Sequence, residues 1–389
     1  MKIANRMEKL SPSVTMAITA MARELKAQGK DILSFSAGEP DFDTPQVIKD
    51  AAIQAIQDGH TKYTAVEGTV ETKKAIINKL KKDHGLEYEM DEIIVSNGAK
   101  HSLFNLFQCL IEKGDEVIIP APYWVTYPEQ VKFSDGTPVF IETDDSTNFK
   151  ITAEQLKAAI TPNTRILLLN TPSNPTGGVY TKEELISLGE VLKGTDILVL
   201  SDEMYEKIMY DGLEFTAVAS ASDDMFQRTV TINGISKAVA MTGWRYGYLA
   251  TPNKQLVKTM IKLQGQVTSN VNSVTLQAAV TALDGSADAD IEMMRTEFEK
   301  RRDIVVEEFN AIKGISCVVP HGAFYVFVNI KQVNSDSIKF AADLLENEGV
   351  AVVPGLAFGT EGYFRFSFAT DEATIREGIS RIKRFVEGN

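Results

Sequence analysis

From Glu92 to Ile232 the chain repeats one unit. A short run of isoleucine, leucine and valine is broken by glycine, proline, serine or asparagine, and a helical or turn segment follows. The runs are Glu92-Ile93-Ile94-Val95, Glu116-Val117-Ile118-Ile119, Val139-Phe140-Ile141, Ile166-Leu167-Leu168-Leu169, Ile197-Leu198-Val199-Leu200 and Val230-Thr231-Ile232. They are apolar on both faces, so each strand needs cover on both sides. A mainly parallel sheet between layers of helices supplies that cover, and the predicted class is α/β. Such sheets bind ligands beyond the carboxyl ends of their strands. The polar residues after each run are therefore the functional candidates.

The flanks add a second unit. Ser11-Pro12 reads as a helix start, with serine as cap and proline at the first position, and Gly29 as the end. A helix from about Asp288 to Asn310 is charged on one side and long enough to bridge two domains. Phe324–Val328, Val350–Val353 and Tyr363–Phe368 read as strands of a smaller α/β unit. At 389 residues the chain is too long for one small core. The expected division is 1–44 as an N-terminal arm and part of the small domain, 45–286 as the large cofactor-binding domain, and 287–389 as the small domain.

Composition excludes some partners. A net charge of −13 disfavours nucleic acid, whose phosphates want clustered lysine and arginine. Any anionic ligand must be held by local cations. Cys109 and Cys317 are isolated, which argues against a disulfide framework and suits a reducing compartment. No apolar run reaches the ~18 residues of a membrane span, and no secretory signal is visible. The expected location is cytoplasmic. His60, His84, His101 and His321 show no metal-ligand spacing, so no metal is expected.

The strand ends carry the chemistry. Gly98-Ala99-Lys100 opens a helix, whose free N–H groups favour an anion. Asn174-Pro175-Thr176-Gly177 lies in a loop with two prolines, and its Asn174-Pro175 bond is a candidate for cis. Asp202 ends an apolar run and is costly to bury without a cation. Lys237 follows the strand 228–232, and Arg245 comes eight positions later between glycine neighbours. A lysine among small and apolar residues loses pKa on burial, and its neutral amine can form a Schiff base with a carbonyl. An arginine beside glycines suits a phosphate. Most lysines are solvated, so Lys237 acquires meaning only from the other strand ends. Together these groups are the parts of a pyridoxal 5'-phosphate site: a lysine for the aldehyde, an aspartate for the ring nitrogen, and an arginine with a helix end for the phosphate.

Five motifs in matching order carry a resemblance: Ala-Gly-Glu-Pro-Asp-Phe at 37–42, Asn-Pro-Thr-Gly at 174–177, Ser-Asp-Glu at 201–203, Ser-Lys at 236–237 and Gly-Trp-Arg at 243–245. Over nearly its whole length the chain resembles the class I aminotransferases of fold type I, and among them the bacterial aspartate aminotransferase branch. The resemblance implies that Lys237 is the Schiff-base lysine and moves a proton between Cα and C4'. It implies that Asp202 pairs with the pyridinium nitrogen, Tyr205 and Asn174 bond the ring oxygen, and Trp124 stacks on the ring. Gly98, Ala99 and Arg245 would bind phosphate, with Tyr63 reaching it from the partner of a homodimer whose sites lie at the subunit interface. Arg365 would clamp the substrate α-carboxylate, helped by Asn174 and the Gly38 backbone. The chain departs from the family pattern at Gly234, where many relatives have serine, and at Tyr246, where an aliphatic residue is usual.

The resemblance also bears on substrate. In the related bacterial branch a lysine after the phosphate-binding glycine pair reads a distal carboxylate, with a threonine of the first helix nearby. Those positions are Lys100 and Thr15. The expectation is transfer of the amino group of L-aspartate to 2-oxoglutarate. The alternatives are an aromatic, prephenate or other aminotransferase on the same scaffold, and then a lyase using the same cofactor.

Overall fold

The computed structural model describes residues 1–388. Its strands are β1 (Leu33–Ser34), β2 (Ile93–Ser96), β3 (Glu116–Ala121), β4 (Thr137–Glu142), β5 (Thr164–Asn170), β6 (Leu198–Asp202), β7 (Thr229–Gly234), β8 (Gly247–Ala250), β9 (Ser316–Cys317), β10 (Tyr325–Asn329), β11 (Val350–Ala351), β12 (Val353–Pro354) and β13 (Tyr363–Ser367). The large sheet has the order β2-β8-β7-β6-β5-β3-β4. Its pairs from β4 to β7 are parallel, whereas β8 runs antiparallel between β2 and β7.

Successive residues of each apolar run serve opposite faces. Val117, Ile119, Ile166, Leu168 and Leu200 pack with Leu103, Leu106 and Phe107 of the helix Ala99–Leu110. Ile118, Leu167, Leu169 and Val199 pack with Leu185, Leu188 and Leu192 of the helix Lys182–Leu192. This two-sided burial is what the unalternating runs demand, and it makes the fold the expected α/β type. No helix of the described residues is long and apolar enough to cross a membrane.

The second sheet is antiparallel, in the order β12-β13-β10-β9. β1 pairs in parallel with β11, so the segment after the first helix joins this sheet's neighbourhood. Phe35 then stacks on Phe366 with ring centroids 4.1 Å apart, and its carbonyl accepts from Ser367 N at 3.0 Å. That anchoring directs Ser36–Gly38 toward the large sheet.

Three sequence expectations need correction. The first helix is Val14–Ala27, and Ser13 is the cap that accepts from Met16 N at 3.4 Å. Pro12 precedes the cap instead of opening the helix. Val350–Val353 is not one strand: its first half pairs with β1 and its second with β13, and the chain switches partner at Val352. β3 continues through Pro120, because its ladder to β5 has already ended at Ile118↔Leu167 and no bond to β5 is asked of the proline.

The helix Asp288–Asn310 runs where expected. Arg301 grips both oxygens of Asp41 at 2.8 and 3.0 Å. Arg302 bonds Asp211 at 2.7 and 2.8 Å and the Pro320 carbonyl at 3.0 Å. One helix thereby ties the loop after β1, the loop after β6 and the entry to β10. Gly378, in the helix Glu372–Glu387, closes the small core, since an added Cβ would lie 2.2 Å from Phe35 Cζ. Gly378→Ala is therefore expected to overpack this contact and cost about 1–3 kcal/mol. Urea unfolding measures it, and an unchanged midpoint would refute the packing.

Candidate active site

The carboxyl ends of β5, β6 and β7 stand side by side, with Asn170 opposite Asp202 and Asp202 opposite Ile232. Beyond them lies a cavity of about 1100 Å³. Lys237 and Arg245 sit on the loop between β7 and β8, whose two ends are paired at Gly234↔Gly247.

Lys237 is partly open to the cavity. Its Nζ donates to the Gly38 carbonyl and lies 5.8 and 5.9 Å from the ring centroids of Tyr205 and Phe324. Burial brings its pKa down to about 8; Glu39 and Asp202 pull it up, and Arg365 and Arg245 push it further down. Near neutrality a useful share of this amine is uncharged, which a nucleophile requires.

Asp202 is 4% exposed. Its carboxylate accepts from Tyr127 Oη at 2.8 Å and from Met204 N at 3.3 Å. Both donors are neutral. Burial raises its pKa, and these hydrogen bonds and the Lys237 charge pull it back. Such a carboxylate is suited to receive a cationic ring nitrogen.

Arg245 adopts the left-handed region at φ 57°, which turns its side chain back along the loop to donate to the Thr242 carbonyl at 2.6 Å. Its guanidinium lies against Gly98, where an added Cβ would be 2.4 Å from Nη2. Gly98 caps the helix Ala99–Leu110, and a Cβ on Gly247 would meet Ala99 N at 2.3 Å. Close backbone contact thus sets an arginine beside a helix N-terminus, an arrangement suited to a phosphate dianion. The departure at Gly234 has a steric cause: a Cβ there would meet the Tyr246 carbonyl at 2.8 Å and Gly247 Cα at 3.1 Å. A serine has no room in this backbone. Tyr246 itself is fully buried among the apolar residues beneath the loop.

Arg365, on β13, is 2% exposed. Nη1 donates to Asn174 Oδ1 at 2.9 Å and Nη2 to the Ser36 carbonyl at 2.7 Å, while Nε has no partner among the described residues. Its guanidinium lies 4.4 Å from the Tyr325 ring centroid and 5.2 Å from that of Phe358. Burial lowers its pKa, against a pull upward from the phenols of Tyr325 and Tyr205. A buried guanidinium given only carbonyl oxygens can take a carboxylate in addition. The Asn174-Pro175 bond is cis, and Asn174 N donates to Asn170 Oδ1 at 2.8 Å.

Gly38, Ala99, Lys100, Trp124, Asn174, Asp202, Tyr205, Lys237, Arg245, Arg365 and Thr15 all line the one cavity. Lys100 Nζ stands 4.8 Å over the Trp124 ring, and burial, then Arg245, lower its pKa. Tyr63 does not line the cavity and is 91% exposed. Sequence reasoning missed Tyr127, Tyr325 and Ser36. A tyrosine in an apolar helix or strand reads as core, and only the fold reveals what its hydroxyl touches. It also missed a partly buried cluster in which Asp83, His84 and Glu206 bring their ligating atoms within 4.8 Å. His84 Nε2 bonds Glu206 at 2.6 Å, and Lys79 and Lys207 pair with the carboxylates.

The chain matches the family described as Aminotransferase class I and II over residues 30–382. It is 48% identical to the aspartate aminotransferase of Geobacillus stearothermophilus, covering 100% of this chain and 99% of that one. It is 48% identical to the aspartate/prephenate aminotransferase of Nitrosomonas europaea, covering 98% and 99%. The solved aspartate aminotransferase of Thermus thermophilus with maleate superposes with a TM-score of 0.95 at 40% identity, covering 99% of each chain.

The depressed basicity of Lys237 is testable without any cofactor. Labelling by a small aldehyde, trapped with borohydride and read by peptide mass spectrometry, should rise with pH through about 8 and then flatten. Surface lysines should keep rising toward ~10.4. A Lys237 profile that follows the surface residues would refute its depressed pKa.

Proposed function

The chain belongs to the class I and II aminotransferases, and on that premise we propose that it moves the amino group of L-aspartate to 2-oxoglutarate with pyridoxal 5'-phosphate as cofactor. One observation carries the choice of substrate: Arg365 and Lys100 line the same cavity as Lys237. Two cations around one amine suit a substrate with two carboxylates. The printed names of the Geobacillus and Thermus relatives, the latter with the dicarboxylate maleate, support the same reading.

The residues present fit the cofactor. Asp202 is a buried carboxylate given only neutral donors, and Gly98, Ala99 and Arg245 form a cradle that side chains cannot fill. Bound pyridoxal phosphate supplies an aldehyde that takes up the amino group and a ring that withdraws electrons from the reacting carbon. Lys237 would hold the aldehyde carbon, and its released Nζ would carry the proton to and from the substrate Cα. Asp202 would keep a proton on the ring nitrogen, with Tyr127 fixing the carboxylate's orientation. Tyr205 would donate to the ring oxygen. Asn174 would do so through Nδ2, since Arg365 already occupies its Oδ1. Trp124 would lie against the ring. Arg365 would receive the α-carboxylate, beside the Ser36–Gly38 segment, and Lys100 with Thr15 the distal one.

Tyr63 can take part only from a second copy of the chain, so we read the enzyme as a homodimer. Tyr63, Ile53 and Ile56 are all exposed, which suits burial against a second copy. A second reading, use of prephenate, is supported by the name of the Nitrosomonas relative.

Reconstitution with pyridoxal phosphate should give a visible absorbance band that is missing in Lys237→Ala, and no band in the wild type would end the cofactor reading. Lys100→Ala should lower kcat/KM for aspartate by about tenfold to a hundredfold, the worth of a charged hydrogen bond, while sparing alanine. Equal loss for both, or none, would remove Lys100 from distal recognition. Wild-type rates with aspartate and prephenate, measured side by side, separate the two readings.

A further inference from the structure

Tyr325 belongs to β10 of the small sheet, yet its hydroxyl meets that of Tyr205, which follows β6 of the large sheet, at 2.8 Å. Its ring face lies 4.4 Å from the Arg365 guanidinium. Tyr325, Tyr205 and Arg365 are 0%, 5% and 2% exposed. The hydroxyl is also closely fitted, because a Cβ on Gly38 would come within 3.3 Å of it. One side chain therefore touches both the tyrosine of the ring-oxygen side and the arginine of the carboxylate side. Nothing about the packing of a core strand requires this, since phenylalanine would fill the same space.

We propose that Tyr325 is a positioning residue with two separable parts: its hydroxyl orients and polarises the Tyr205 hydroxyl, and its ring face fixes the Arg365 guanidinium. This rests on the cofactor reading above. When Tyr205 donates to the ring oxygen, its own oxygen is free to accept from Tyr325, and chained hydrogen bonds strengthen one another. Around Tyr205 stand Tyr325, Arg365, Asp202 and, over the ring, Lys237. Around Tyr325 stand Arg365, Tyr205 and Glu39. Apart from Tyr325 itself, these groups are present in both variants below, so changes between variants report the hydroxyl or the ring. The ring holds Arg365 through its π face, while Asn174 and Ser36 accept hydrogen bonds from the same guanidinium. The register explains how one strand does both, for Phe327 is the cross-strand partner of Arg365 and Tyr325 lies two residues along, on the same face.

The test uses the holoenzyme and two variants. Tyr325→Phe keeps the ring and loses the hydroxyl. A weaker donor at Tyr205 leaves more negative charge on the ring oxygen, which then holds the proton shared with the Lys237 nitrogen more tightly. The pH midpoint of the visible band should rise by about half a unit to one unit, while KM for aspartate stays within about twofold. Tyr325→Leu loses both parts, and KM should rise about three- to thirtyfold in addition to the same shift. A Tyr325→Phe band that titrates at the wild-type midpoint overturns the hydroxyl's role. An unchanged KM in Tyr325→Leu overturns the ring's role. A wild type with no band overturns the cofactor reading and this proposal with it, so the two failures are distinguishable.

Discussion

Gly234 and Gly247 face each other across β7 and β8, and neither has room for a Cβ. The site depends on that pairing. It closes the ends of a loop that must hold a lysine and an arginine at defined places, and it brings the start of β8 against the backbone of Gly98 and Ala99. The amine and the anion cradle are therefore set by one short antiparallel pairing at the border of the parallel strands. Widening it by a methyl group would displace both functions together.

The second physical theme is charge held against the general field. A chain with net charge −13 gathers Lys237, Arg245, Arg365 and Lys100 around one cavity. Each answers differently to being crowded. The amine of Lys237 yields and becomes a base near neutrality. The guanidinium of Arg365 cannot yield in the same way and stays cationic, so it is braced by carbonyl oxygens and aromatic faces. Asp202 is the counterweight, a carboxylate kept dry and given no cation of its own. The cavity is thus prepared for a ligand with negative ends and a positive ring atom.

Much of this was legible in residue order. Strand runs without alternation identified a covered sheet, the aspartate ending an apolar run drew attention to Asp202, and the other strand ends together drew it to Lys237. Arg365 was reached only through the family resemblance that the other motifs carried. Other features were not. β8 has four residues and begins with glycine, too little to register as a strand. The break at Val352 depends on β1, which arrives from far earlier in the chain. Tyr127 and Tyr325 look like core because nothing in their neighbourhood reveals a polar partner. Ser13 was missed as a cap because Ser11-Pro12 offered an equally good local pattern. Local chemistry reads well in sequence; contacts made by the far end of a side chain do not.

The partner switch at Val352 has a mechanical consequence. Two residues before it are laced to β1, and two after it to the strand bearing Arg365. Ser36 and Gly38 follow β1 directly, and their carbonyls hold Arg365 and Lys237. The stretch is a yoke: strand pairing and hydrogen bonds join the Arg365 guanidinium to the Ser36–Gly38 segment, while Lys237 belongs to the loop between β7 and β8 of the large sheet. The Lys237–Gly38 contact therefore spans the seam between the two sheets, and a displacement of one sheet against the other acts on the amine and the guanidinium together.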